Sequence, residues 1–87
     1  MPADCLFCRI AAGEIPATKV HEDDLVFAIR DINPQAPTHV LVMPLAHVVS
    51  AADLTEADAP LLGRLFSVAA GLARSEGLDG GWRLVSN

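Results

Sequence analysis

The sequence predicts an α+β fold in which antiparallel strands pack with two helices. Three short runs with strand character follow one another at residues 18–22, 25–30 and 39–43. No long helix separates these runs, which favours antiparallel pairing. A longer run at residues 55–76 repeats its apolar residues with the period of a helix. A shorter helix is expected near the N-terminus.

This first helix is predicted over residues 5–12. Asp4 is a suitable N-cap, and Gly13 is placed to end the helix. Phe7, Ile10 and Ala11 share one face of this helix by their i, i+3, i+4 spacing.

The strand at residues 25–30 is predicted to lie in the middle of the sheet, because both of its faces are apolar until Arg30. A tight acidic turn at residues 23–24 joins it to the preceding strand. After the glycines at residues 80–81, residues 82–86 are predicted to form a fourth strand.

The long helix begins with a pattern that resembles a capping box, Thr55 to Asp58, and Gly77 stops it. Pro60 is tolerated only near a helix start, so the first turn is expected to lie close to Asp58. One stripe of this helix is broadly apolar, and a second stripe carries small residues. The small residues favour either close packing on the sheet or a subunit interface. They are Gly63, Ser67, Ala70 and Gly71.

Composition restricts the class of protein. With 87 residues, 52% hydrophobic and 20% charged, the chain is expected to form a single globular domain or part of one. A domain this short is expected to need a metal or a partner chain for stability. The net charge of −5 argues against nucleic acid as the main ligand. No apolar run approaches the roughly 20 residues of a membrane span, and no signal-peptide pattern is present, so a cytoplasmic location is predicted.

Cys5 and Cys8, at C-x-x-C spacing, together with His47, are three candidate ligands of a tetrahedral zinc site. A fourth ligand is required, and only His39 and His21 remain among the histidines. Two half-buried cysteines that bind nothing, or a redox pair, are the alternatives.

Asp31 and His39 form a second candidate site, at the two ends of a loop punctuated by Pro34 and Pro37. The Asp31 carboxylate could accept both hydroxyls of a ribose, or could cap the loop. His39 could be a catalytic base or a structural histidine. Because His39 and His47 flank the same short strand, the sequence predicts that they share one rim with Asp31.

The ordered motifs of the chain resemble the histidine triad superfamily. The most specific is Phe-Ala-Ile-Arg-Asp-Ile-x-Pro-Gln-Ala-Pro-Thr-His, which ends at residue 39. Cys-x-x-Cys-x-Ile and Gly-Glu-Ile-Pro-Ala precede it, and Met-Pro-x-x-His follows. The similarity covers residues 5–87 and is greatest to the Hint branch of purine nucleoside phosphoramidases and nucleotidyl hydrolases.

The resemblance implies a sheet of about five strands with two helices, paired into a homodimer with a continuous sheet. It also implies roles for particular residues. Ile15, Ile29 and Ile32 match positions that sandwich a purine, and Asp31 matches the acid that binds the ribose hydroxyls. Asn87 matches an asparagine near the ribose and phosphate, and His39 matches a histidine that supports the triad. Cys5, Cys8 and His47 match zinc ligands.

One departure from the family pattern is large. The His-x-His-x-His motif, which carries the nucleophile, does not occur in these 87 residues. We therefore expect residues 1–87 to form a single histidine-triad-like domain that is incomplete at its C-terminus and inactive by itself. The missing strand would also supply the fourth zinc ligand.

Two functions follow as hypotheses. The first is hydrolysis of purine nucleoside phosphoramidates, or of related nucleotidyl P–N or P–O bonds, through a nucleotidyl-histidine intermediate. The alternative is a non-catalytic, zinc-stabilised module for nucleotide binding or protein interaction.

Overall fold

The computed structural model describes residues 5–86, which form an α+β domain. A three-stranded sheet lies between a short helix and a long one. Two short 3₁₀ turns, Ala51–Asp53 and Glu56–Asp58, precede the long helix. The main elements are α1 (Leu6–Ala11), β1 (Lys19–Glu22), β2 (Val26–Arg30), β3 (Val40–Pro44) and α2 (Ala59–Ser75).

The sheet is antiparallel, in the order β1-β2-β3. In the register of β2 and β3, Val26 lies opposite Pro44 and Arg30 lies opposite Val40. Residues 26–29 are at most 5% exposed. The predictions of antiparallel pairing and of a central second strand are therefore confirmed.

The two faces of β2 pack against different helices. Phe27 and Ile29 form a buried cluster with Ile10 of α1, and Leu41 and Met43 of β3 pack against it. Successive side chains of a strand point to opposite faces, so Val26 and Ala28 lie on the other side. The long helix α2 contacts β2 and β3 there. The domain thus has three layers, with β2 in the middle.

Helix α1 is shorter than the predicted helix by one residue at each end. Its N-cap is Cys5, whose sulfur accepts the backbone N–H of Cys8 at 3.4 Å. Asp4, the cap expected from the sequence, lies outside the described residues. Gly13 ends the helix with a φ of +81°, a conformation that glycine adopts without steric cost.

The capping box before α2 is present, since the carboxylate of Asp58 accepts the backbone N–H of Thr55 at 2.9 Å. It opens a 3₁₀ turn that continues into α2, so that Pro60 lies in the first turn as predicted. Within the chain, Gly63 and Ser67 of the small-residue stripe are exposed, while Ala70 and Gly71 are half-buried.

The prediction of a fourth strand at residues 82–86 is wrong for this structure. The segment forms no strand, although its composition suits one. It lies across a cleft of about 310 Å³ from the start of β3, with Arg83 and Val85 on one side and His39 to Leu41 on the other. A strand requires a hydrogen-bonded neighbour, and in residues 5–86 the cleft separates this segment from β3.

Along these same residues, no helix combines the length and the apolar character needed to cross a membrane.

The turn between β1 and β2 is fixed by Asp23. One carboxylate oxygen accepts the backbone N–H groups of Leu25 and Val26, at 2.8 and 3.0 Å. The other lies 2.6 Å from Nε2 of His21 and 3.2 Å from the guanidinium of Arg64 in α2. These contacts, with that of His21 the largest, hold the pKa of the Asp23 carboxyl well below its usual range.

We predict that Asp23→Asn lowers stability at neutral pH, and that the difference from wild type shrinks in acid. A carboxyl group with a lowered pKa stabilises the folded state above its ordinary pKa of 3.8. That contribution is lost as the pH falls from this value towards the folded-state pKa. Thermal melting of both proteins at about pH 7 and at about pH 2 measures the difference.

Asp24→Asn is the matched control. This side chain is 83% exposed and lies 3.4 Å from Arg64, so its substitution should have little effect at either pH. If the difference in melting temperature between wild type and Asp23→Asn were the same at both pH values, the lowered pKa of Asp23 would be contradicted.

Candidate nucleotide site and metal cluster

The end of β2 is fixed on two sides before the chain reaches Asp31. The guanidinium of Arg30 donates two hydrogen bonds, of 2.9 and 3.0 Å, to the carboxylate of Glu76 at the end of α2. This pairing raises the pKa of Arg30 and lowers that of Glu76. The backbone N–H of Arg30 also donates to the carbonyl of Thr18 at 3.0 Å. Asp31 therefore leaves the sheet from a defined position.

The loop from Asp31 to His39 is closed by its own hydrogen bonds. The backbone N–H of Asp31 donates to the carbonyl of His39 at 3.0 Å. The N–H of Asn33 donates to Oδ1 of Asp31 at 2.9 Å, and the N–H of Gln35 donates to Nδ1 of His39 at 3.0 Å. The side chains at both ends of the loop thus accept hydrogen bonds from backbone N–H groups that have no partner strand, as Asp and other short polar residues commonly do in turns.

Asp31 and His39 also lie beside each other. Oδ2 of Asp31 is 3.4 Å from Nε2 of His39, and both side chains are half-buried. The sequence left two roles open for Asp31, a loop cap and a ligand-binding carboxylate. Its Oδ1 caps the loop, while its Oδ2 faces an imidazole at the edge of the sheet. One oxygen of Asp31 therefore stabilises the loop, and the carboxylate can still accept further hydrogen bonds.

The three isoleucines of the candidate purine cleft have different environments. Ile29 is buried in the core cluster, and Ile15 packs against that cluster while remaining partly exposed. Ile32, at the start of the loop, is 92% exposed. The structure thus brings Ile15 and Ile29 together and leaves Ile32 at the surface. Asn87 lies outside the described residues.

The candidate metal ligands come together from two separate parts of the chain. Cys5 and Cys8 lie at the start of α1, and His47 follows the end of β3. Their ligating atoms all lie within 4.8 Å of one another, and Sγ of Cys8 is 3.1 Å from Nδ1 of His47. A tetrahedral zinc ion bound at 2.0–2.3 Å would set its ligands about 3.3–3.8 Å apart. The two sulfurs and one nitrogen are donors that zinc accepts, and they lie close enough together to hold one metal ion after small shifts.

Neither remaining histidine completes this cluster in residues 5–86. His21 pairs with Asp23, and His39 accepts a hydrogen bond from Gln35. The expectation of one rim shared by Asp31, His39 and His47 is also wrong. His39 precedes β3 and His47 follows it, and the five residues of this strand separate the two ends by about 17 Å.

An apolar cleft of about 240 Å³ adjoins the cysteines and His47. Phe7, Met43 and Val49 are among the residues that line it, so it lies between α1 and the end of β3. An apolar surrounding of this kind limits solvent access to a metal site.

The ion pair between Arg30 and Glu76 was not predicted from the sequence. Its one signal in the sequence is a charged residue at the end of an otherwise apolar strand. The partner is 46 residues away, and only the packing of α2 on the sheet brings it close. The bond from Gln35 to His39 was missed because it depends on the path of the loop.

Comparison with known proteins gives consistent matches along the chain. The family model described as the scavenger mRNA decapping enzyme C-terminal binding domain matches residues 4–83. The purine nucleoside phosphoramidase of Escherichia coli (strain K12) is 42% identical over 88 residues, covering 100% of this chain and 74% of that protein. The 14 kDa zinc-binding protein of Zea mays is 45% identical over 84 residues, covering 94% of this chain and 66% of that protein.

A solved structure agrees with these matches. The HIT family hydrolase of Legionella pneumophila superposes with a TM-score of 0.92 and 51% identity, covering 94% of this chain and 74% of that one. The fold of this chain and its motifs from Cys5 to His47 support the same family assignment. The chain belongs to the histidine triad family, which includes hydrolases.

Proposed function

We propose that the full-length protein is a nucleotidyl hydrolase that cleaves purine nucleoside phosphoramidates or related nucleotidyl P–N or P–O bonds. The observation that carries this proposal is the 42% identity to the purine nucleoside phosphoramidase of Escherichia coli over the whole of this chain. The hydrogen-bonded loop from Asp31 to His39 supports it, because the loop presents a partly exposed carboxylate beside an imidazole.

In this proposal, Asp31 accepts hydrogen bonds from the ribose hydroxyls, and Asn87 lies near the ribose and phosphate. Hydrogen bonds to a charged carboxylate are stronger than those between neutral groups. Ile15, Ile29 and Ile32 contact the purine, with Ile32 available at the surface to cover the base. His39 supports the catalytic triad from the start of β3.

The nucleophile is proposed to be a triad histidine outside these 87 residues, so residues 1–87 alone would be inactive. Its ring nitrogen would attack the α-phosphorus while the P–N bond breaks and the amine leaves with a proton. Water would then attack the nucleotidyl-histidine, releasing the nucleoside monophosphate and the histidine. Within the described chain, β3 pairs only with β2, so its other edge has no strand beside it there.

Asp31→Ala in the full-length protein is predicted to reduce kcat/KM for adenosine 5′-phosphoramidate strongly. Loss of hydrogen bonds to a charged group costs about 1.5–3 kcal/mol, or about ten- to hundredfold in rate. The loss should be much smaller for the 2′-deoxyadenosine analogue, which lacks one of the two hydroxyls. Steady-state kinetics with both substrates measures the difference.

Asp58→Ala is the control, since this aspartate also caps backbone but lies at the start of α2. It should lower stability and leave the preference between the two substrates unchanged. Equal losses for both substrates with Asp31→Ala would show that Asp31 is only a loop cap. A wild-type protein without turnover would contradict the hydrolase function.

The second candidate function is a zinc-stabilised module that binds nucleotides or proteins without catalysis. It is favoured by one observation, the cluster of Cys5, Cys8 and His47, whose donor atoms lie within 4.8 Å of one another and could hold a metal. Binding of AMP by the full-length protein, without any turnover of the phosphoramidate, would support it.

We further propose that Cys5, Cys8 and His47 hold one structural zinc ion. The match to a 14 kDa zinc-binding protein and the spacing of the three donors support this. Because α1 and the segment after β3 each contribute ligands, the ion would join them and compensate for the small core. The fourth ligand is proposed to come from the triad strand.

The full-length protein should contain about one zinc ion per chain, and Cys8→Ser should remove it and lower the melting temperature. Metal analysis by mass spectrometry and thermal melting with and without a chelator measure both effects. His21→Ala is the control and should leave the zinc content unchanged, because His21 pairs with Asp23 outside the cluster. A stable protein without zinc would contradict the proposal.

We also propose that the protein forms a homodimer through the outer face of α2. The exposed small residues Gly63 and Ser67 would let a second backbone approach closely, and a domain of this size gains stability from a partner.

Ser67→Arg should therefore split the dimer without unfolding the chain, since Ser67 is exposed within it. Ser75→Arg is a matched control, because both serines are exposed and each donates its hydroxyl to the carbonyl three residues earlier in α2. Sedimentation at micromolar concentration should give a dimer for wild type and Ser75→Arg, and a monomer for Ser67→Arg. A monomeric wild-type protein would refute the proposed assembly.

A further inference from the structure

We infer that His39 is a positioning residue that orients the Asp31 carboxylate for the ribose, and so sets the preference for ribose over 2′-deoxyribose. This inference rests on the proposed nucleotide-binding function. It assigns His39 a task in substrate recognition, in addition to its proposed support of the triad.

The first step of the argument is the tautomer of His39. Its Nδ1 lies 3.0 Å from the backbone nitrogen of Gln35, whose N–H is the donor. A neutral imidazole has one N–H and one acceptor nitrogen. Since Nδ1 accepts, the proton of the neutral ring is on Nε2. This is the nitrogen that lies 3.4 Å from Oδ2 of Asp31. The protonated nitrogen of the neutral ring is therefore the one that lies nearer the carboxylate, and their 3.4 Å separation is longer than that of a strong hydrogen bond.

The second step is the orientation of the carboxylate itself. Oδ1 of Asp31 accepts the N–H of Asn33 at 2.9 Å, while Oδ2 lies beside His39. Rotation about the bond to the carboxylate would weaken both contacts at once. The hydrogen bond from the Asp31 N–H to the His39 carbonyl also fixes the two backbones relative to each other. The hydrogen bond at Oδ1 and the imidazole beside Oδ2 therefore restrict the orientation of the carboxylate before any ligand binds, which lowers the entropic cost of binding.

The third step is a comparison with the other histidine–aspartate pair of the chain. In the β1–β2 turn, Asp23 has His21, Arg64 and two backbone N–H groups around its carboxylate. A carboxylate has about four lone-pair sites, so Asp23 has little capacity for a ligand. The Asp31 carboxylate accepts one backbone N–H and has the imidazole of His39 3.4 Å away, so it can still accept two hydroxyl groups. His39 thus lies beside a carboxylate that can still accept hydrogen bonds from a ligand, whereas the neighbours of Asp23 leave that carboxylate little capacity to do so.

The test measures the affinities of the full-length protein for AMP and for 2′-deoxy-AMP by calorimetry. His39→Ala should reduce the preference for AMP about two- to fivefold, the range expected for a partly exposed pair of this kind. His39→Gln should retain most of the preference, because its amide nitrogen reaches the position of Nε2. His39→Asn should behave like His39→Ala, because it replaces only the Nδ1 acceptor. In an Asp31→Ala background, His39→Ala should cause no further change.

His21→Ala is the matched control, since His21 is equally exposed (33% against 31% for His39) and also lies against an aspartate. It should lower the melting temperature and leave the preference for AMP unchanged. The inference is overturned if His39→Ala keeps the wild-type preference. It is also overturned if His39→Asn keeps the preference while His39→Gln loses it, since the effect would then act through the loop alone. A wild-type protein without any preference for AMP would refute the proposed ribose site itself.

Discussion

The burial of β2 on both faces is the constraint on which the rest of this structure depends. Val26, Phe27 and Ala28 are at most 1% exposed, and the strand lies between β1 and β3 in the sheet and between two helices across it. Such a strand cannot shift by one residue, because a shift would exchange the side chains of its two faces. Every element that carries a candidate site residue is placed by its contact with β2.

Ionic contacts with α2 reinforce both ends of this strand. Near the start of β2, Asp23 and Asp24 lie 3.2 and 3.4 Å from Arg64. At the other end, Arg30 pairs with Glu76 through two hydrogen bonds. Partly exposed pairs contribute little energy individually. Their effect here is geometric, because two contacts at opposite ends set the direction of α2 across the sheet.

The two candidate sites lie at opposite ends of β3. Asp31 and His39 face each other where β2 ends and β3 begins, whereas His47 meets Cys5 and Cys8 beyond the far end of β3. About 17 Å of strand separates them. The candidate metal ligands therefore connect α1 with the segment after β3, while the groups of the proposed nucleotide site lie on the loop between β2 and β3.

The sequence by itself determined the elements that depend on local chemistry. The apolar run of β2, the capping box before Pro60 and the glycine at position 13 are local signals, and the structure follows them. The C-x-x-C spacing also sufficed to place two thiols on one turn of α1. Such features depend on backbone geometry within a few residues.

Only the tertiary structure decided which distant groups meet. The pairing of Arg30 with Glu76, the separation of His39 from His47, and the tautomer of His39 depend on packing and on the path of the loop. Residues 82–86 show the same dependence, because their strand-like composition cannot form a strand without a hydrogen-bonded neighbour. Contacts between residues far apart in the chain follow from how the layers pack, and a local pattern does not encode that packing.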